Sequence, residues 1–543
     1  MRKNNKKGKL MNRTKRMVSL VLIMAVFASM AVTAMAAGYS IVVKNTNEAV
    51  KIDGKTFYAY KIFEASYNSN TSSIVYSYDA ETCLNVVYNE KSGNELIEWL
   101  NGVDSNSDDV RAFADHVYTE YIKDEEVTAK GTATASGETA TIDLNEAGYY
   151  LVYCEGSAVD DGDTITAAVS LTSTTPSVEI SPKFDAPTIE KYIKHNEKDL
   201  WENVGDNQIG DIVEFKIIST VPDTYNYDSY TYIIHDEMDQ GLTSKVNADS
   251  DVVIKVNDSG DSLADSLYEV KVNPADGCTF EIKVDILAAI EAGKMKKGDK
   301  LHVYYKAELN SGAWIYSEGK QHNIAKLEYS NNPYATGEGG TTATTGETAE
   351  HVVYDWTYNI AVNKVDDKNN ALEGAKFVLA EKEIDISDLE INAEGVPTKT
   401  ENLIGLVKIT DGYCMATSAD NTDNVTYVID AGSIMLRGLD DSETYYLYEI
   451  KAPDGYNMAT KPVTFKIDAE YNESGSETAD NYPKFIVDET PVNEFKINIV
   501  NQAGTQLPTT GGMGTTIFYI MGTILVIGSA VLLVTRRRMK TEE

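Results

Sequence analysis

Short runs in which apolar and polar residues alternate dominate the chain, as in Tyr149-Tyr150-Leu151-Val152-Tyr153 and Val213-Glu214-Phe215-Lys216-Ile217-Ile218. A period of two, with Tyr, Val, Ile and Thr recurring, predicts half-buried strands. Helical spacing is confined to Asn94–Leu100, Asp108–Lys123 and Ile286–Ala292, so the pattern predicts an all-β protein of sandwiches in series. Two stretches break the alternation altogether. Met17–Ala34 and Ile517–Val534 are continuous apolar runs, one near each end of the chain.

Each run has its own flanks. The first follows Arg2, Lys3, Lys6, Lys7, Lys9, Arg13, Lys15 and Arg16 and closes on Ala34-Met35-Ala36. It is short for a bilayer span and ends in the small residues a signal peptidase accepts, so residues 1–36 are expected to be a cleaved signal peptide. The second follows Leu507-Pro508-Thr509-Thr510-Gly511 and precedes Arg536, Arg537, Arg538 and Lys540. It is long enough to cross the hydrocarbon core, and the basic cluster would stay cytoplasmic with the pentapeptide outside. Pentapeptide, span and basic tail in this order resemble the LPxTG sorting signal of Gram-positive surface proteins. The resemblance implies that residues 507–543 are a processing device: Thr510 is acylated on a sortase cysteine, Gly511 leaves, and the membrane segment is removed on anchoring.

Between the ends, 37–506 offers room for about three domains, expected at 37–183, 184–350 and 351–506. The Gly/Thr-rich stretch 335–348 reads as a connector or exposed loop. The net charge of −36 excludes a phosphate-neutralising footprint and hence nucleic acid as a partner. Cys83, Cys154, Cys278 and Cys414 are too few for a disulfide framework, although Cys83 and Cys154 share a predicted domain and could pair. Neither they nor the six histidines show metal-ligand or nucleophile-elbow spacing, so no enzyme, metal or cofactor is expected. His235 beside Asp236 is the one tempting pair, and adjacent strand residues point to opposite faces.

Three residues in the third domain look misplaced. Alternation puts Lys364 on a face with Ile360 and Val362, Asn501 on a face with Phe495, Ile497 and Ile499, and Glu449 on a face with Tyr445 and Leu447. Burying any one of them alone costs several kcal/mol, roughly 2–7 for a polar group. Burial also lowers an amine pKa and raises a carboxyl one, which yields a nucleophile and a hydrogen-bond donor. Lysine, asparagine and a protonated carboxyl can then condense to a side-chain amide with loss of ammonia.

The run Tyr445 to Tyr456 reads Y-x-L-x-E-x-x-A-P-x-G-Y and resembles the E-box of Gram-positive pilins. Asn363-Lys364-Val365-Asp366 with Leu372-Glu373-Gly374-Ala375-Lys376-Phe377 is similar to the start of a CnaB-type domain. The resemblance implies an isopeptide bond between Lys364 and Asn501, assisted by Glu449. In the second domain, Ala186–Lys191 and Asp236–Leu242 resemble the CnaA-type fimbrial domain, with Asp236 in the carboxyl role and Lys191 as nucleophile. Its partner is Asn323, well inside a strand, or alternatively Asn331, which abuts Asn332-Pro333. No comparable trio stands out in the first domain. There Val178-Glu179-Ile180-Ser181-Pro182-Lys183 is similar to the pilin motif whose lysine attacks the sortase acyl-enzyme, with Ser181 and Phe184 departing from the commoner tyrosine and asparagine.

Taken together, the resemblance implies an all-β chain of three tandem immunoglobulin-like, Cna-type sandwiches. It also implies a pilus backbone subunit polymerised head to tail through Lys183 and Thr510. The implied partners are a class C-type pilus sortase, a housekeeping sortase, further copies of the chain, minor pilins, peptidoglycan and host surface ligands. The competing reading is a wall-anchored adhesin or minor pilin that does not polymerise.

Overall fold

The computed structural model describes residues 38–46, 52–68, 70–71, 73–105, 107–123, 125–154, 168–174, 176–181, 186–195, 199–225, 227–333, 345–441, 443–472, 483–504 and 513–539. The expected signal peptide, Lys183 and the pentapeptide Leu507, Pro508, Thr509, Thr510 and Gly511 lie outside these residues.

The first domain pairs a small sheet with a larger one. Tyr39–Lys44 lies between Ser177–Ile180 and Thr139–Leu144, so the end of the domain returns beside its start. The larger sheet runs Ser73–Ser77, Thr56–Asn68, Gly148–Cys154, Ala168–Ser173, with Gly131–Thr134 also on Thr56–Asn68. Ile41, Val43, Phe57, Ile142 and Val152 fill the space between the sheets. The outer face of the larger sheet is covered by the helices Gly93–Asn101 and Asp108–Tyr121, which bury Leu96, Phe113 and Val117 against Ile62, Phe63 and Leu151. The all-β expectation therefore needs a helical layer here. Ser107 caps the second helix by accepting from the Val110 N–H, which satisfies one of the donors a helix start leaves open. None of the four cysteines is in a disulfide. The suggested Cys83–Cys154 pair is absent: Cys154 is buried in the inter-sheet core, Cys83 is half-buried, and each sits in its own setting.

The second domain is a sandwich of two sheets. One runs Leu200–Glu202, Ile189–His195, Ile212–Thr220, Lys300–Leu309, Leu242–Ser244; the other runs Val204–Asp206, His351–Trp356, Gln321–Ser330, Tyr232–Met238, Phe280–Val284, Tyr268–Val272. The strand His351–Trp356, expected to open the third domain, is bonded instead between Val204–Asp206 and Gln321–Ser330. Thr345–Glu347, at the end of the Gly/Thr-rich stretch, also pairs with Gln321–Ser330, so the chain returns there to the sheet it left. That moves the boundary to Thr357.

The third domain stacks the sheet Val425–Thr426, Leu406–Ile409, Gly412–Met415, Ser433–Leu439, Tyr358–Asp366, Lys496–Asn501 on Ile429–Asp430, Lys376–Ala380, Thr444–Lys451, Val463–Asp468, Lys484–Val487, Thr490–Val492. Its first and last strands are parallel neighbours. One apolar core runs unbroken from Ile189 and Phe215 in the second domain to Phe465 and Ile499 in the third, so the two are packed as one body. C-terminal to them, Met513–Met539 is a single helix whose apolar part, within Ile517–Met539, contains an 18-residue window of mean hydropathy 2.5 with no burial.

Where the second and third domains meet, the Ile209 N–H donates to the Gly438 carbonyl at 3.0 Å and the Gly210 N–H to the Leu309 carbonyl at 2.7 Å. Gly210 holds φ at +101°, and a Cβ there would stand 2.4 Å from the Ala416 carbonyl oxygen of the third domain. Gly210→Ala should therefore destabilise the chain by about 2–3 kcal/mol. The readout is a lower urea midpoint, and an unchanged midpoint would show that this junction contributes nothing to stability.

Candidate functional site

In the second domain, Lys191 stands on the first strand of one sheet, and Asp236 and Asn323 stand on neighbouring strands of the other. The burial of Ile189, Lys191 and Ile193 alternates with exposed or half-buried Glu190 and Tyr192, so the strand's own period drives the lysine into the core. Lys191 and Asp236 are both 0% exposed and Asn323 is 1% exposed. The Lys191 Nζ donates to Asp236 Oδ2 at 2.5 Å, to Asn323 Oδ1 at 2.5 Å and to the Ile324 carbonyl at 3.1 Å. Tyr305, a residue the sequence reading passed over, donates its hydroxyl to the same Asp236 oxygen at 2.5 Å and accepts from Asn323 Nδ2 at 3.3 Å. Asp236 Oδ1 is buried with no hydrogen-bond partner. Asn331 is also buried, but its amide nitrogen lies beside Gly346; the described contacts of Lys191 include Asn323 and not Asn331.

Burial drives the electrostatics of this group. It lowers the Lys191 pKa to about 8 against the attraction of Asp236, and it raises that of Asp236 against the opposing pull of Lys191. Both shifts favour moving one proton from the amine to the carboxylate. The rings of Phe215 and Tyr305 lie 5.9 and 5.7 Å from the Nζ and keep water from stabilising the charged pair. The resulting neutral amine can attack the Asn323 carboxamide carbon while the Asp236 acid donates to its oxygen; collapse expels ammonia and leaves a Lys–Asn amide.

In the third domain, Lys364 and Asn501 lie on the adjacent parallel first and last strands, where Lys364 faces Ile499 and Asn501 is two residues further on. That offset, about 6–7 Å along a strand, is within the reach of a lysine side chain. Lys364 is 1% exposed, Glu449 2% and Asn501 2%. The Lys364 Nζ donates to the Ile499 carbonyl at 2.9 Å, and burial lowers its pKa while the charge of Glu449 opposes the shift. Asn501 Nδ2 donates to Glu449 Oε1 at 2.7 Å, and Asn501 Oδ1 is buried with no hydrogen-bond partner. Once Glu449 carries a proton, half a turn of the carboxamide would give that oxygen its donor and polarise the carbon.

The A-P-x-G-Y part of the motif has a structural task. The Tyr456 N–H closes a turn on the Pro453 carbonyl, with Gly455 at φ +85°, a conformation only glycine adopts without cost. From this turn the Gly455 carbonyl accepts from the Gly504 N–H at 2.8 Å and the Asn457 N–H donates to the Gln502 carbonyl at 3.0 Å. The Ala459 N–H donates to Glu449 Oε2 at 2.6 Å. One turn thus pins the segment just after Asn501 and orients the carboxyl group.

The first domain has its own fully buried lysine, which the sequence reading missed. Lys61 donates to Glu64 Oε1 at 2.6 Å and pairs with Glu146 Oε1 at 2.9 Å. Both partners are carboxylates, so this group is an ion-pair cluster and lacks the carboxamide of the other two sites.

Comparison with known proteins gives independent information. Residues 358–481 match the SpaA prealbumin-like fold domain and 499–541 the LPXTG cell wall anchor motif. The chain is 23% identical over 536 residues to the trypsin-resistant surface T6 protein of Streptococcus pyogenes serotype M6, covering 89% of this chain and 93% of that one. It is 35% identical over 100 residues, 18% of this chain and 16% of the other, to the fimbrial subunit type 1 of Actinomyces viscosus. Among solved structures, the T6 backbone pilin of serotype M6 S. pyogenes aligns at TM-score 0.44 and 16% identity, covering 87% of this chain and all of that one. The full-length major pilin SpaD of Corynebacterium diphtheriae aligns at 0.42 and 19%, with 87% and 100% covered.

Three measurements test the chemistry. The folded segment 37–506 should weigh about 34 Da less than its sequence, about 17 Da for each ammonia lost. Asp236→Ala and Glu449→Ala should each restore one loss. A mass equal to the sequence mass would rule out both bonds. Lys191 and Asn323 are 132 positions apart, and closing a loop of that length covalently is worth about 5 kcal/mol on the chain-entropy model, so Asp236→Ala should also lower the melting temperature by about 10–20 °C. The third measurement is pH dependence in Asn323→Ala, where Lys191 remains an amine. Its folded pKa of about 8 lies below the ordinary 10.5, so between these values the unfolded chain holds more protons and stability must rise with pH. A urea midpoint that is flat or falling from pH 8 to 10 would contradict the burial-driven shift.

Proposed function

We infer that this cell-wall-anchored surface protein, a pilin of the Gram-positive sortase-assembled kind, is the backbone subunit of a covalently polymerised pilus. A membrane sortase acylates Thr510 and passes it to the Lys183 amine of the next subunit, which builds an open head-to-tail fibre with no symmetry closure. A pilus sortase of class C type carries out the polymerisation, a housekeeping sortase joins the fibre to peptidoglycan, and minor pilins and host ligands complete its partners. The chain's own chemistry is single-turnover: each internal amide forms once, in its own domain.

One observation carries this reading. In both the second and the third domain the candidate crosslink joins the domain's first strand to one of its last, Ile189–His195 to Gln321–Ser330 and Tyr358–Asp366 to Lys496–Asn501. Tension entering from Lys183 and leaving toward Thr510 must pass through those strands. A bond at each place gives the load a covalent path past the hydrogen-bonded sheets, as a filament under shear requires.

The test is an immunoblot of boiled cell-wall extract. Wild type should give a ladder of high-mass species, and Lys183→Ala should collapse it to a single wall-attached band. A single band from wild type would instead assign the chain to the non-polymerising adhesins, and a ladder that persists in Lys183→Ala would move the junction to another lysine.

A further inference from the structure

Asp236 faces the core, and the side chain before it, His235, faces the other way. There His235 meets a group of metal-ligating side chains that the crosslink chemistry does not use. Glu281 lies directly across the strand pair from His235, and the turn 273–279 between Tyr268–Val272 and Phe280–Val284 brings Asp276 and Cys278 over the same imidazole. From His235 Nδ1 the distances are 2.9 Å to Asp276 Oδ2, 3.8 Å to Glu281 Oε1 and 3.9 Å to Cys278 Sγ. One ligand atom from each of the four residues lies within 4.8 Å of all the others. We propose that His235, Asp276, Cys278 and Glu281 form a binding site for a borderline-soft divalent cation, zinc being the natural occupant.

Three features support a site over a chance cluster. The first is spacing. Tetrahedral zinc with ordinary Zn–N, Zn–O and Zn–S lengths sets its ligands about 3.3–3.6 Å apart, and the observed separations from Nδ1, 2.9, 3.8 and 3.9 Å, fall on both sides of that range by less than about half an ångström. The second is how the remaining atoms are occupied. Asp276 Oδ1 is taken by the Cys278 N–H at 3.1 Å and Glu281 Oε2 by Lys271 Nζ at 3.2 Å, so each carboxylate is held from outside with its other oxygen toward the imidazole. His235 Nε2 lies 3.4 Å from Glu328 Oε2. That nitrogen is buried with no hydrogen-bond partner as it stands, and a small turn of the ring would set it on the Glu328 carboxylate, the kind of contact that fixes the tautomer of a metal-bound histidine. The third is access. His235 and Cys278 are 7% and 8% exposed while Asp276 is exposed, which gives a protected site with an open side for the ion to enter.

One nitrogen, one sulfur and two oxygens suit zinc or cobalt(II) and not calcium or magnesium, which call for oxygen ligands throughout. On binding, the Cys278 thiol, which now donates to the Phe280 carbonyl at 3.4 Å, gives its proton to solvent and keeps the electron pair for the metal. An imidazolium at His235 would release its Nδ1 proton in the same way. The sequence reading found no metal spacing because the site joins one strand to a hairpin turn some forty residues away, and neither piece has a motif of its own.

Cobalt(II) provides the test. The full-length chain in detergent, stripped with EDTA, should take up one cobalt ion with a thiolate-to-metal charge-transfer band in the near ultraviolet, and zinc should displace it. Cys278→Ser should abolish that band and weaken binding at least about tenfold, and Glu328→Gln, which touches no ligand atom, should weaken it about tenfold. Glu281→Gln, at the strand surface, should also lose at least about tenfold and serves should Cys278→Ser not fold. Absence of cobalt uptake, uptake without the charge-transfer band, or affinity unchanged in Cys278→Ser or Glu281→Gln would overturn the proposal.

Discussion

The organisation of the second and third domains depends on a lysine amine held where water cannot solvate its charge. A buried ammonium facing a buried carboxylate, as Lys191 faces Asp236, is costly, and passing one proton would relieve the pair by making it neutral. That relief produces a nucleophile and an acid in contact with an amide. The apolar walls that make the charges costly are therefore part of the reactive machinery, and the same Phe215 and Tyr305 that pack the core govern the reactivity of Lys191.

This sets a condition on the fold. The three partners must come from strands that meet only when the sandwich has closed: Lys191 from one sheet, Asp236 and Asn323 from the other. In the third domain, Glu449 comes from the facing sheet while Lys364 and Asn501 share one. An unfolded chain leaves all of them hydrated, with ordinary pKa values and no proximity. The proposed condensation would consequently follow folding and lock only the native pairing.

Part of this was legible in the sequence. A polar residue in an apolar alternating stripe is a contradiction that strand geometry makes visible, which is why Lys364, Asn501 and Glu449 stood out. Tyr305 did not, since a tyrosine in such a stripe reads as core and its hydroxyl contact with Asp236 depends on three-dimensional placement. Lys61 was hidden because Ile62 and Phe63 beside it are also buried; the register shift between Lys61 and Phe63 breaks the simple alternation there. The domain boundary was misplaced for a related reason. A Gly/Thr-rich stretch looks like a linker, and only the pairing of His351–Trp356 shows that the chain crosses back into the sheet before leaving it. The helical layer on the first domain was visible as two periodic segments, but not as a cover for one face of a sheet.

The two kinds of amide junction differ in what they demand of their surroundings. Inside a domain, desolvation activates the lysine and no enzyme can reach it, so the fold itself must supply the acid and the geometry. Between subunits the lysine must stay reachable, and a solvated amine with an ordinary pKa is a poor nucleophile at neutral pH. There the activation has to come from the electrophile, an acyl group on an enzyme's cysteine, and from that enzyme's own site. On the proposed function, burial and exposure would thus divide the work: the chain would make its internal bonds unaided and would depend on an external transpeptidase for the bonds that lengthen the fibre.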